Sequence, residues 1–164
     1  MQVTFKGGPL NIVGKQLSVG DVFGEFTVAR NDLSPLTLGD TSGVRVFLTV
    51  PSLDTPTCDT EVRSFNKRAS EIPGTSVYAI SMDLPFAQGR WCGASGIDSV
   101  VTASDYKDRA FAQATGTYIQ ELGLLTRAVF VVGSDGRVAY VQYCPEITEE
   151  PDYEAALNAA KNAS

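Results

Sequence analysis

Residues 47–65, FLTVPSLDTPTCDTEVRSF, decide how this chain folds. Phe47, Leu48 and Val50 make an apolar run of strand length, and Pro51 ends it because proline has no N–H to give a ladder and restricts the residue before it. Beyond the break, Cys58, Val62 and Phe65 share one face of an amphipathic helix. The stretch therefore reads as strand, tight loop, and helix with a cysteine in its first turn. Thr55 or Thr57 is a candidate cap, Pro56 suits the first helical position, and the first-turn N–H groups have no partner inside the helix. Such a helix start favours an anion, and so a thiolate at Cys58. Asp54, Asp59 and Glu61 oppose it, because nearby carboxylates disfavour another negative charge. A reactive Cys58 thus needs a cation brought from elsewhere in the fold, and Arg127 is the candidate. A lone cysteine is ordinarily a small buried hydrophobe; the strand, proline, threonine and helix-start context sets Cys58 apart.

Working outward, Pro73 and Gly74 mark a turn before residues 76–81, whose Val77, Ala79 and Ile80 predict a second central strand. A helix between two such strands is a βαβ crossover, which makes the strands parallel. Asp83 is a candidate cap for a short helix in DLPFAQGRWCG (83–93), started by Pro85 and stopped by Gly93 and Gly96. Val100 and Val101 predict another strand, 106–115 a helix, and 118–125 an extended or turn region. AVFVVGSDGRVAYVQY (128–143) predicts an antiparallel hairpin turning at Asp135 and Gly136. Tyr153, Ala156, Leu157 and Ala160 mark a closing helix with Pro151 at its start. Towards the N-terminus, 3–5 and 10–13 flank Gly7, Gly8 and Pro9 as a small hairpin. Phe23, Phe26 and Val28 predict a packed extended segment, and 31–43 a loop. A βαβ half followed by a hairpin and a helix is the thioredoxin-like arrangement, an α/β three-layer fold on a central mixed sheet, here with an N-terminal β-hairpin, in one domain over residues 1–164.

The 164 residues suffice for one sizeable core. A net charge of −6, without clustered Lys and Arg, argues against nucleic-acid or anionic-membrane partners, whose phosphates demand such clusters. No apolar run has membrane-spanning length and the first residues lack a signal-peptide pattern, so a cytoplasmic location is expected. Three cysteines without a CxxC pair point to redox chemistry over a disulfide scaffold or a zinc site. The absence of histidine excludes Ser-His-Asp and Cys-His catalysis and the usual transition-metal cluster, so Cys58 has to be ionised by its surroundings. No cofactor or metal is expected.

Pro51, Thr55 and Cys58 stand in a PxxxTxxC pattern, and PSLDTPTC with DLPFAQGRWCG downstream resembles the peroxiredoxin family, in particular its atypical two-cysteine branch of bacterial thiol peroxidases. The resemblance implies that Cys58 is the peroxidatic cysteine, that Thr55 hydrogen-bonds the sulfur or the peroxide, that Pro51 shields the pocket from water, and that Arg127 orients the sulfur and polarises the peroxide. It makes Cys92 the resolving cysteine, which forms an intramolecular disulfide with the Cys58 sulfenic acid. The substrates implied are hydrogen peroxide and alkyl hydroperoxides, the reductant thioredoxin, the role antioxidant defence and the assembly a homodimer. Disulfide formation implies local unfolding at the first turn of the Cys58 helix and around 86–93. A permanent Cys58–Cys92 disulfide, worth roughly 4 kcal/mol by loop entropy, is disfavoured by a reducing cytosol. Cys144 has no partner motif and reads as a packed cysteine. Two alternatives stand beside this reading: a peroxide sensor that hands its disulfide to a partner, and a disulfide isomerase, which the lack of CxxC disfavours.

Overall fold

Every residue of strand β5 (Val44–Thr49) is buried, and a strand covered on both faces belongs in the middle of a sheet with a layer on each side. The computed structural model, which describes residues 1–69 and 72–163, has that arrangement. Strand β5 pairs in parallel with β6 (Thr75–Ser81), and β6 in parallel with β7 (Val100–Ser104). Helix α1 (Pro56–Ala69) makes the first crossover and α2 (Pro85–Ser95) the second. On its other side β5 takes the antiparallel hairpin of β10 (Ala128–Val132) and β11 (Val138–Tyr143). With β3 (Thr27–Ala29) and β4 (Pro35–Thr37) at the far edge, the mixed sheet runs β11, β10, β5, β6, β7, β3, β4.

Side chains alternate across β5, as the pleat requires. Val44, Val46 and Leu48 meet Cys58, Val62 and Phe65 of α1, together with Ala156, Leu157 and Ala160 of α4 (Tyr153–Asn162). Phe47 points the other way, into Phe23, Phe26 and Phe111, the last from α3 (Ala110–Thr115). There it stacks on Phe23 at 5.0 Å and on Tyr78 at 5.2 Å between ring centroids. The result is the expected three layers.

Several elements differ from the sequence reading. The N-terminal hairpin, β1 (Gln2–Phe5) with β2 (Gly8–Val13), turns on Lys6 and Gly7 alone, while Gly8 and Pro9 are already paired with Phe5 and Thr4. Lys6 has φ 50° and Gly7 φ 83°, as a two-residue turn that follows the strand twist requires. Residues 118–125 form a second hairpin, β8 (Tyr118–Ile119) with β9 (Leu124–Leu125), and β8 joins β2 in a separate four-stranded sheet. The 106–115 helix begins only at Ala110, where the Asp105 carboxylate accepts the N–H groups of Phe111 and Ala112 at 3.0 and 2.8 Å. Instead of an irregular loop, 31–43 holds β4 and a short 3-10 turn, closed by the Asp40 carboxylate accepting from Thr37. Among the described residues no helix is long and apolar enough to cross a membrane.

Candidate active site

The C-terminal end of β5 opens into the loop that leads to Cys58, where the side chains of an open α/β sheet are free to converge on a ligand. That loop is fastened from the neighbouring strand. The Asp83 carboxylate accepts from Ser52 Oγ at 2.7 Å, Leu53 N at 2.8 Å and Ser81 Oγ at 2.8 Å. Asp83 is therefore no helix cap; Leu84 occupies the N-cap of α2 with Pro85 behind it. Neither threonine hydroxyl serves α1 as a cap either. Thr55 Oγ1 donates to the Ser52 carbonyl at 2.8 Å and Thr57 Oγ1 to the Thr148 carbonyl at 3.0 Å, stitching the loop to itself and to the chain after β11. Because Thr55 spends its hydrogen on Ser52, its lone pairs remain available to accept one from a ligand.

Cys58, the third residue of α1, is fully buried. Arg127 reaches it from the residue preceding β10. Its Nη2 donates to Cys58 Sγ at 3.2 Å, Nη1 to Glu61 Oε2 at 2.5 Å, and Nε to the Ile147 carbonyl at 2.9 Å. Three directions of the guanidinium are thus fixed, which a lysine could not reproduce. The Arg127 backbone is held in turn, its carbonyl accepting the Cys144 N–H at 3.0 Å. Burial works against the Arg127 charge, but the Glu61 carboxylate and the Cys58 sulfur more than offset it, so its pKa goes up.

Glu61 is the residue whose role the sequence reading missed. It entered there only as a carboxylate opposing the thiolate; in the fold it is fully buried and shares the Arg127 fork with Cys58. Burial pushes its carboxyl up to about 7, against the pull of Arg127, and its Oε1 has no hydrogen-bond partner among the described residues. The signal lay in the helix period: position 61 falls beside Cys58 and Val62 in the buried stripe, where a carboxylate survives only beside a cation. Asp59 and Asp54 do not crowd the sulfur in the same way. Asp59 is taken up by Trp91 Nε1 and Arg63 Nε, both at 2.9 Å, and Asp54 is exposed.

Pro51, Thr55 and Arg127 line one cavity of about 240 Å³, closed further by Phe5, Pro56 and Ile147. Three of the expected site residues therefore surround one pocket, with the Cys58 sulfur bonded to its cation. Cys92 is not among them. It lies half-buried on α2, with Sγ 3.3 Å from Thr102 Oγ1 of β7. Arg127 leads into β10, which is three strand spacings from β7 in the sheet order, about 14 Å at the usual spacing. All three cysteines are free thiols. α2 is also longer than expected, running through Gly93 to Ser95 and ending at Gly96, whose φ of 66° gives the left-handed turn of a helix C-cap. Cys144 is buried beside this cluster, and burial, then the Glu61 carboxylate, push its thiol up to about 12.

Comparison with known proteins gives a consistent set of relatives. Residues 18–157 match the Redoxin family. The thiol peroxidase of Clostridium acetobutylicum is 56% identical over 163 residues, covering 99% of both chains. That of Bacillus subtilis is 48% identical, covering 98% of this chain and 96% of its own. Among solved structures, the peroxiredoxin-like protein from Aquifex aeolicus superposes with a TM-score of 0.93 at 43% identity, covering 99% of this chain and 97% of that one. The thiol peroxidase from Chromobacterium violaceum gives 0.90 at 17% identity, with 98% and 95% covered, a likeness of fold.

Proposed function

The chain belongs to the Redoxin family, and we propose that it is a thiol peroxidase in which Cys58 reduces hydrogen peroxide and alkyl hydroperoxides and Cys92 resolves the product. The observation that carries this reading is the Arg127 guanidinium held 3.2 Å from a buried cysteine sulfur at a helix start.

The Cys58 thiolate attacks the outer oxygen of the hydroperoxide. The S–O bond forms as the O–O bond breaks, the sulfur is oxidised to sulfenic acid, and the leaving oxygen takes a proton to depart as water or alcohol. Full ionisation of an ordinary thiol gains only about thirtyfold at neutral pH, so the greater part of the acceleration has to act on the breaking bond. Arg127 donors aimed where charge builds on the leaving oxygen supply it, at about a hundredfold or more per donor. Thr55, with its own hydrogen committed to Ser52, accepts a hydrogen bond from the peroxide O–H and orients the attacked oxygen. Pro51 walls the pocket and keeps water out, and Glu61 holds the guanidinium in its plane.

The Cys92 thiol then condenses with the sulfenic acid, forming the Cys58–Cys92 disulfide and releasing water. A disulfide needs Cα atoms within about 7 Å, so the separate anchors of the two sulfurs support a local unfolding of the first turn of α1 and of α2. Thioredoxin returns both cysteines to thiols, its own dithiol becoming the disulfide. The working form is a cytoplasmic homodimer in antioxidant defence.

One equivalent of hydroperoxide, followed by intact mass and non-reducing peptide mapping, tests the cycle. Wild type should lose about 2 Da and yield a Cys58–Cys92 cross-linked peptide, whereas Cys92→Ser should stop at a sulfenic acid on Cys58. A cross-link through Cys144, or no oxidation at Cys58, would overturn the assignment.

A further inference from the structure

The pocket that leads to Arg127 carries a second cation, Lys6, and no carboxylate among its lining residues. That is unexpected in a chain with 19 acidic and 13 basic residues. Glu146 stays ionised beside the hairpin, its carboxyl held down to about 2 by hydrogen bonds from Thr148, Gly7 and Thr4, but it does not line the pocket. Glu146 Oε1 accepts from Thr4 Oγ1 and Gly7 N at 3.0 Å, and Oε2 from Thr148 N and Oγ1 at 2.9 and 2.7 Å. Glu149 and Glu150 line an adjoining groove past Thr57 and Thr148.

Lys6 is held at this rim by backbone geometry. It is the first residue of the two-residue hairpin turn. The hairpin is tied to the chain that follows β11 by Thr4 N donating to the Pro145 carbonyl at 2.7 Å and Ile147 N to the Thr4 carbonyl at 2.9 Å. The Lys6 ammonium lies 5.6 Å from the centroid of the Phe5 ring, so one turn presents an apolar face with a positive charge upon it. The pocket runs from a cation at the reacting sulfur, through the apolar side chains of Pro51, Pro56 and Ile147, to a second cation at its mouth.

We propose that this hairpin turn selects hydroperoxides with a carboxylate at the far end of a short apolar chain, the peroxide group lying at Arg127 and the carboxylate at Lys6. The inference rests on the peroxidase reading and names a substrate class for the same pocket. A cavity of about 240 Å³ holds about eight non-hydrogen atoms at roughly 30 Å³ each, the share of a water molecule, so a chain of that length brings its end to the rim. The net charge of −6 repels anions at long range, which makes the preference a local one that salt screens.

The test compares 4-hydroperoxybutanoic acid with its methyl ester, which offers the same apolar chain without the charge. Wild type should show a kcat/KM for the acid about three- to fivefold above that for the ester, the size of an exposed ion pair, and the ratio should shrink in about 1 M salt. Lys6→Gln should bring the ratio to about one, and Lys6→Glu should invert it. A wild-type ratio near one, a preference that survives Lys6→Glu, or a loss shared equally by acid and ester in the Lys6 variants would overturn the proposal. Failure of wild type to consume either compound would instead strike the peroxidase reading and take this inference with it.

Discussion

The Glu61 carboxyl and the Cys58 sulfur share the Arg127 fork, and the residue-scale chemistry follows from that. Arg127→Lys keeps a cation but loses the planar geometry; stopped-flow oxidation by hydrogen peroxide should be about a hundredfold slower. Arg127→Gln strands a buried carboxylate as well, and urea unfolding at pH 8 should find it about 3–5 kcal/mol less stable. Glu61 also gives stability a definite pH dependence. Its folded carboxyl is pushed up to about 7 from an ordinary 4.5, so between those values the folded protein holds a proton that the unfolded chain has released. Stability must therefore fall as pH rises through that window. Asp105, pushed up to about 6 by burial, acts in the same sense. Urea midpoints at pH 5 and pH 8 should show wild type weaker at the higher pH and Glu61→Gln with a smaller gap; equal gaps would mean that Glu61 stays ionised throughout. Cys144, with its thiol pushed up to about 12, should resist iodoacetamide on the native reduced protein while half-buried Cys92 is labelled, as peptide masses would report.

At the scale of elements, α1 and α2 are latched beside the two cysteines. Trp91 Nε1 donates to Asp59 Oδ1 at 2.9 Å, Arg63 reaches Ser95 Oγ at 2.8 Å, and the Arg63 guanidinium lies 5.8 Å from the Trp91 ring centroid. Asp59 follows Cys58 directly and Trp91 precedes Cys92, so in the proposed cycle this latch opens as the sulfurs meet. Trp91→Phe keeps the ring and deletes the donor. Losing a bond worth about 1 kcal/mol should speed disulfide closure about fivefold, read by acid quench and mass spectrometry. It should also lower the yield of sulfinic acid at high peroxide, because a sulfenic acid that is resolved sooner is exposed for less time. Slower closure in this variant would show that the latch guides the two helices together instead of restraining them.

For the molecule as a whole, both faces of the sheet carry core, and the aromatic cluster lies on the face opposite Cys58. Phe47, fully buried among Phe23, Phe26, Tyr78 and Phe111, faces away from Cys58. Phe47→Ala should cost about 3–5 kcal/mol and lower the melting temperature by about 10 °C by calorimetry. Much of this architecture was legible beforehand. The apolar run that Pro51 breaks, the βαβ order and the 128–143 hairpin follow from periodicity and turn residues, and local pattern alone determined them. The PxxxTxxC spacing placed Pro51, Thr55 and Cys58 within one loop and helix start, because a few residues cannot separate them far. What the sequence could not reveal depends on distance along the chain. Thr55 and Thr57 had the chemistry of caps but found carbonyls at Ser52 and Thr148. Asp83 fastened the Cys58 loop instead of opening a helix. Glu61 changed from a repelling charge into the partner of Arg127, which comes from 66 residues away. The hydrophobic period fixes which face of an element is buried; only the packed fold decides which charges share that burial, because a buried carboxylate is tolerated according to the cation that tertiary contacts bring to it.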